Sequence, residues 1–282
     1  MTAAEYAAEH GLQRVGARPG PITYLKQTWA RRDFAYTLAK SRIKARNQAN
    51  RLGMLWEILK PTINALMYGF IFGILQGGRR GPDFPAYVVV GVFLFEFFSH
   101  SMANGAKSII GNRALVQSLN FPRLTLPVSV IIQQLLTLAP MIVVMFIYVL
   151  ILGQTPKWSW FYIVPIVGLL TLLSMGIAMI CARLTVHFHD LTQLIPLVTR
   201  FFFFTSGVLF SVDNLFKSWP WLVTVYDFHP IYQVLEIARG AILDERTFDP
   251  MHWIGLSAWS VVLLIGGFFF FWQAEERYGR DN

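Results

Sequence analysis

Apolar residues in this chain come in long blocks rather than in alternation with polar ones. A helix that crosses a bilayer needs about 20 mostly apolar residues. Six blocks approach that length: residues 58–75, 87–102, 124–152, 160–184, 191–210 and 253–272. The second is short in strict count, and residues 85–86 and 103–105 extend it. The third is long enough to tilt, or to begin in the interface. The pattern predicts an all-α integral membrane fold with six spans. Residues 1–57 form a cytoplasmic N-terminal segment, 58–272 the six-helix domain and 273–282 a cytoplasmic tail. No apolar stretch before residue 50 reads as a signal peptide.

Three stretches between or before the blocks have patterns of their own. In residues 21–51, Leu25, Trp29, Arg32, Tyr36, Ala39 and Ile43 recur at helical spacing, with Lys26, Lys40, Lys44 and Arg51 around them. With no proline or glycine from 22 to 52, this predicts one basic amphipathic helix in the cytoplasmic interface. In residues 105–127, Asn112 reads as an N-cap, and Ala114, Leu115, Val116 and Leu119 give a short amphipathic helix. Pro122 stops it. Such a helix is either a grip for a soluble partner or a plain connector. Residues 211–251 are long for a structureless loop and too apolar for disorder. Pro220 and Pro230 cut them into pieces too short to span, which predicts re-entrant helices at the outer interface.

Composition agrees. The chain is 55% hydrophobic and 14% charged, against about 25% charged in soluble domains. Mean hydropathy is +0.47. The single cysteine, Cys181, excludes a disulfide framework and a cysteine-based zinc site. A net charge of +8 raises the question of nucleic acid, but the placement of the charge answers it. Seventeen of the 24 basic residues fall on one side of the predicted membrane, eleven of them before residue 61. By the positive-inside rule both termini are cytoplasmic, and the charge marks topology rather than a nucleic-acid surface. Trp158, Trp160, Trp219, Trp221, Trp253 and Trp272 sit at block ends, where amphipathic rings settle. Trp259 lies deeper and reads as a packing or lipid contact.

No catalytic constellation emerges. Residues 105–108 read GAKS, which lacks the glycines of a phosphate-binding loop. His187, His189 and Asp190 are too few for a metal site, and Asp190 reads as a cap on the fifth span. Two ionisable residues fall deep in the apolar blocks: Glu96 in the second and Arg200 in the fifth. Each lies about 14 Å from its nearer membrane face at 1.5 Å per residue, so they pair or share an aqueous cavity. In a cavity Arg200 contacts an anionic head group. Phe201 to Phe204 surround one turn beyond it, and Tyr68, Phe70 and Phe72 add rings from the first block. Most of these rings pack or face lipid, because a helix shows one face to any pore.

Five segments occur in a recognisable order: the basic amphipathic N-terminal helix, W-E-I-L-K-P at 56–61, N-R-A-L-V-Q-S-L-N-F-P-R at 112–123, H-F-H-D-L at 187–191 and H-P-I-Y-Q-V-L-E-I-A-R-G at 229–240. Together they resemble the permease subunit of type 2 ABC exporters of cell-surface polysaccharide, the group that moves O-antigen, capsule, teichoic acid and related glycans. The resemblance covers nearly the whole chain after residue 20, and F-P-R followed by a span is its most specific part. His189 departs from it, standing where arginine is expected.

The resemblance implies a homodimer working with two copies of a separate ATPase subunit. ATP and magnesium bind that subunit, and this chain binds no cofactor. Asn112, Arg113, Leu115, Val116, Leu119, Phe121, Pro122 and Arg123, with Asp190, would form the ATPase-coupling segment. Trp29, Arg32, Tyr36 and Lys40 would lie on a gate helix beside the lipid-linked substrate. The first and fifth spans would line a channel, with Tyr68, Phe72, Glu96, Arg200, Phe201 and Phe204 as its candidate residues. The substrate would be a glycan on a polyprenyl pyrophosphate, a galactan being the specific expectation, moved to the outer face of the plasma membrane. An exporter of a drug or small lipid shares this fold. A membrane glycosyl- or acyltransferase would need an acidic and histidine cluster, for which the loops offer only His187, His189 and Asp190.

Overall fold

The computed structural model describes residues 19–49, 53, 55–75, 83–244 and 246–275. Every regular element among them is a helix. Two lie before the spans: α1 (Pro21–Ala30) and α2 (Arg32–Ala49). The single helix expected over 21–51 is thus two, broken at Arg31, whose backbone leaves the helical path at φ −98° and ψ 15°. Docking explains the break, since no glycine or proline does. Tyr24 of α1 packs on Phe268 at the end of the last span, while α2 lies along the third span.

Four helices are long and apolar enough to cross a membrane: α4 (Phe84–Ala106), α6 (Thr125–Ile151), a 3₁₀ turn running into α7 (Ile163–His187), and α12 (Pro250–Trp272). Two further blocks are helical, α3 (Leu55–Leu75) and α8 (Leu191–Thr205). The fifth block is shorter than expected. Its helix ends at Thr205, and Gly207 turns the chain at φ +73°. Fifteen residues rise only about 22 Å, less than the roughly 30 Å hydrocarbon core.

The remaining helices are short. α5 (Arg113–Ser118) sits in the loop before α6. α9 (Val212–Leu215), α10 (Pro220–Asp227) and α11 (Pro230–Ile242) follow α8. Pro220 and Pro230 open their helices, a position where the missing N–H costs nothing. His229 caps α11, its Nδ1 accepting from Tyr232 N at 3.2 Å.

The core forms around α4, which packs on α3, α6, α7, α8 and α11. Its buried face is mostly valine and phenylalanine. α7 and α12 make the most extensive pairing in the molecule. Glycine permits it: a Cβ on Gly176 would strike the Leu263 backbone, and one on Gly267 would lie 2.5 Å from Gly176 O. Small residues let helices approach this closely where hydrocarbon supplies no hydrophobic drive. α12 turns a different side outward, with Ile254, Val262 and Ile265 exposed as lipid requires. Trp259 is half-exposed there, and its Nε1 donates to Phe228 O at 2.8 Å.

Candidate functional site

One end of the helix bundle ties α2 to α5 and α6, about seventy residues later in the chain. Asn112 stands at the N-cap position of α5, but its side chain does not cap the helix. Its Nδ2 donates to Ser108 O at 2.6 Å, and its Oδ1 accepts from Arg42 Nη2 at 3.0 Å. Arg42 takes the oxygen that capping needs, and its Nη1 reaches Ser129 Oγ at 3.2 Å. The N-cap expectation therefore gives way to a tie between α2, α5 and α6. Val116 and Phe121 are buried, Phe121 meeting Phe34 of α2 edge-on at 5.4 Å. Leu115 is half-buried, while Arg113 and Leu119 are exposed.

The loop between α7 and α8 lies beside this one. Arg113 Nη2 stands 2.6 Å from His189 Nε2. Arginine only donates, so this ring nitrogen accepts, a role that a second arginine at 189 could not fill. Asp190 is exposed and precedes α8, yet its side chain makes no cap. Its carbonyl does that work, accepting from Gln193 N at 2.9 Å.

Beneath this face sits a buried knot that the sequence did not single out. Tyr24 OH donates to Glu275 Oε2 at 2.5 Å and accepts from Leu124 N at 3.0 Å. Arg123 approaches Glu275 Oε1 with its backbone N–H at 3.1 Å and its guanidinium at 3.5 Å. Burial pushes the Glu275 carboxyl above its ordinary range, against the pull of Tyr24 and Arg123. The F-P-R motif, the N-terminal helix and the residues just past α12 are thereby joined. Pro122 is half-buried at this junction.

The gate-helix residues face outward. Trp29 and Tyr36 are 71% and 47% exposed, with Arg32 and Lys40 exposed beside them. The Arg32 guanidinium lies 5.6 Å from the Trp29 ring centroid. The docked face is a different one, made by Tyr24, Thr28, Ala35 and Ala39. Of the apolar stripe read from the sequence, Ala39 is buried, Ile43 is half-buried and the rest is uncovered.

On the membrane-facing side, α8 splits its rings between two faces. Phe203 packs on Tyr68 of α3 at 5.3 Å and on Phe95 of α4 at 5.2 Å, and Phe202 meets Phe98 at 6.2 Å. Leu197, Phe201 and Phe204 project away, 65%, 64% and 53% exposed. Arg200 shares that exposed face. Arg200 and Glu96 do not pair within one chain. The ion pair found for Glu96 among the described residues is with His100, at 3.6 Å. The Phe72 side chain lies outside the described residues, as do Arg14, Arg18, Arg51, Arg79, Arg80, Arg277 and Arg280.

The opposite end of the bundle holds a second buried knot. Arg239, in the H-P-I-Y-Q-V-L-E-I-A-R-G segment, has a fully buried side chain. Its Nη1 pairs with Glu236 Oε1 at 2.9 Å, its Nε reaches Tyr87 O at 3.3 Å and its Nη2 reaches Val208 O at 3.0 Å. The guanidinium lies 3.3 Å from the Tyr87 ring centroid, and Arg246 lies over the same ring at 4.4 Å. Tyr87 OH donates to Phe210 O at 2.7 Å. Gly91 makes room, since a Cβ there would lie 2.5 Å from Arg239 Nη2. The E-x-x-R spacing in the 229–240 segment was the available signal, because i and i+3 share a helix face.

The described residues form an all-helical domain with four helices long and apolar enough to cross a membrane. The ABC-2 type transporter family matches residues 35–243, and the chain belongs to that family. It is 26% identical to the O-antigen export system permease protein RfbA of Myxococcus xanthus over 261 residues, 92% of this chain and 99% of that one. A Klebsiella pneumoniae protein of the same name is 25% identical over 193 residues, covering 68% of this chain and 74% of its own. The polysialic acid transport protein KpsM of Escherichia coli is 26% identical over 242 residues, 83% and 90% of the two chains.

Proposed function

We propose that this chain is the membrane permease of an ATP-driven exporter that moves a polyprenyl-pyrophosphate-linked polysaccharide, a galactan, from the inner to the outer face of the plasma membrane. It works as a homodimer of six-span subunits with both termini in the cytoplasm. Two copies of a separate ATPase, which bind the ATP and magnesium, dock on the face made by residues 112–123 and Asp190. The observation that carries this reading is Arg200. It is exposed on an apolar helix between Leu197 and Phe204, and a cation at that depth does not face hydrocarbon. A second copy across that face gives it a water-filled lumen. Pyrophosphate and sugar hydroxyls need the same lumen, since polar groups without partners are costly in an apolar medium. The named relatives that transport O-antigen and polysialic acid support the substrate class.

Deleting the gene tests it. Surface polysaccharide disappears and lipid-linked glycan accumulates inside, with recovery when this chain is supplied again. Normal surface glycan in the deletion strain would sink the reading.

A further inference from the structure

α4 is the most enclosed of the long helices, and its one opening is polar. Between Ala86 and Ile109 only six positions reach the surface: Glu96, Ser99, His100, Ala103, Asn104 and Lys107. Their spacing, i, i+3, i+4, i+7, i+8 and i+11, places them on a single face. Five of the six are polar, on a helix whose other sides are mostly apolar. Lipid selects the reverse, and α12 shows it with its exposed Ile254, Val262 and Ile265. From Glu96 to Lys107 the stripe rises about 16 Å, half the thickness of the hydrocarbon core. Its outer end abuts α8, where Phe95 meets Phe203 and Phe98 meets Phe202. Continuing that antiparallel register brings Arg200 to about the depth of His100.

We infer that the inner half of α4 is the polar wall of a water-filled passage, and that Glu96, Ser99, His100 and Asn104 hydrogen-bond the hydroxyls of the saccharide as it passes. A carboxylate, a hydroxyl, an imidazole and a carboxamide offer both donors and acceptors along one line. Sugar hydroxyls need both. The stripe carries one carboxylate and, at its cytoplasmic end, one ammonium, so it suits a hydroxyl-rich chain rather than a dense polyanion. This inference rests on the export reading, and its first test does not require export.

The sole cysteine is removed as Cys181→Ser, and single cysteines are placed at Ser99→Cys, Asn104→Cys, Ser101→Cys and Ile265→Cys. Ser99 and Ser101 are two residues apart, and Ser101 is fully buried. Inside-out vesicles are treated with a membrane-impermeant maleimide, which reacts only with a hydrated thiolate. The cysteines at 99 and 104 should label at least about tenfold faster than those at 101 and 265. Labelling at 99 and 104 as slow as at 265, or equal labelling at 99 and 101, would overturn the passage. In cells, Ser99→Leu and Asn104→Leu should lower surface glycan at least about tenfold and Asn104→Gln should lower it less, since only the apolar variants remove the hydrogen-bonding group. Unchanged export in both leucine variants would overturn the hydroxyl contact. If the deletion strain keeps its glycan while residues 99 and 104 still label, the export reading fails and the passage stands.

Discussion

The two buried knots use the same three residue types and differ in what surrounds the charge. At the outer end the buried centre is an arginine. Two arginines share the single Glu236 carboxylate, and backbone carbonyls of Tyr87 and Val208 accept from Nε and Nη2 of Arg239. At the cytoplasmic end the centre is a carboxylate. Glu275 is satisfied by a phenol, a backbone N–H and one partly exposed guanidinium. The outer knot buries Arg239 completely, leaves Arg246 part-exposed and ties α11 to α4. The inner knot joins α1, the F-P-R segment and the end of α12, three segments far apart in the chain. A cation held by carbonyls braces the fold, whereas a desolvated acid between three segments makes a joint whose strength depends on pH.

Breaking the outer knot should have the largest effect. Arg239→Ala leaves Glu236 half-paired and a cavity beside Tyr87, and removing one partner of a buried pair costs about 3–5 kcal/mol. The check is the thermal midpoint of the detergent-solubilised protein, which should fall well below that of any cytoplasmic-knot variant. The inner knot sharpens the contrast through pH. The folded Glu275 carboxyl titrates above its ordinary value of 4.5, so its contribution is complete below 4.5 and is lost as pH rises through the folded value. Glu275→Gln should remove that slope while retaining the fold, and Arg239→Ala should leave the slope intact. Unfolding midpoints from pH 4 to 8 read both. The smallest effect belongs to an exposed pair at the outer surface. Lys157 Nζ lies 2.7 Å from Asp244 Oδ1 and holds that carboxyl below its usual range. Lys157→Ala should change stability by less than about 1 kcal/mol, as solvent-exposed pairs do.

Much of this was legible in the chain. Length and hydropathy mark the four long spans, and Pro220 and Pro230 mark the outer helices, because proline acts through local geometry alone. What stayed hidden depends on distant partners. Arg31 breaks a helix that nothing in its neighbourhood interrupts, since α1 and α2 dock on different spans. Asn112 surrenders its cap to Arg42, seventy residues away, and no local pattern encodes that competition. Glu275 looks like any residue of a polar tail until Tyr24 is placed against it. The stripe on α4 was half visible. Glu96 stood out as a charge in an apolar run, while Ser99, His100 and Asn104 acquire meaning only when burial shows that the rest of the helix is closed.

The glycine seam between α7 and α12 bears on how such a molecule moves. Gly176 and Gly267 bring two backbones into direct contact, with no side chain between them to change rotamer and take up a shift. A larger residue at either position would have to push the two main chains apart, so backbone alone sets the spacing of the pair. α3 and α8 hold the core mainly through aromatic rings and leave their other sides bare. On that flank rings, which can turn, set the spacing instead of main chain.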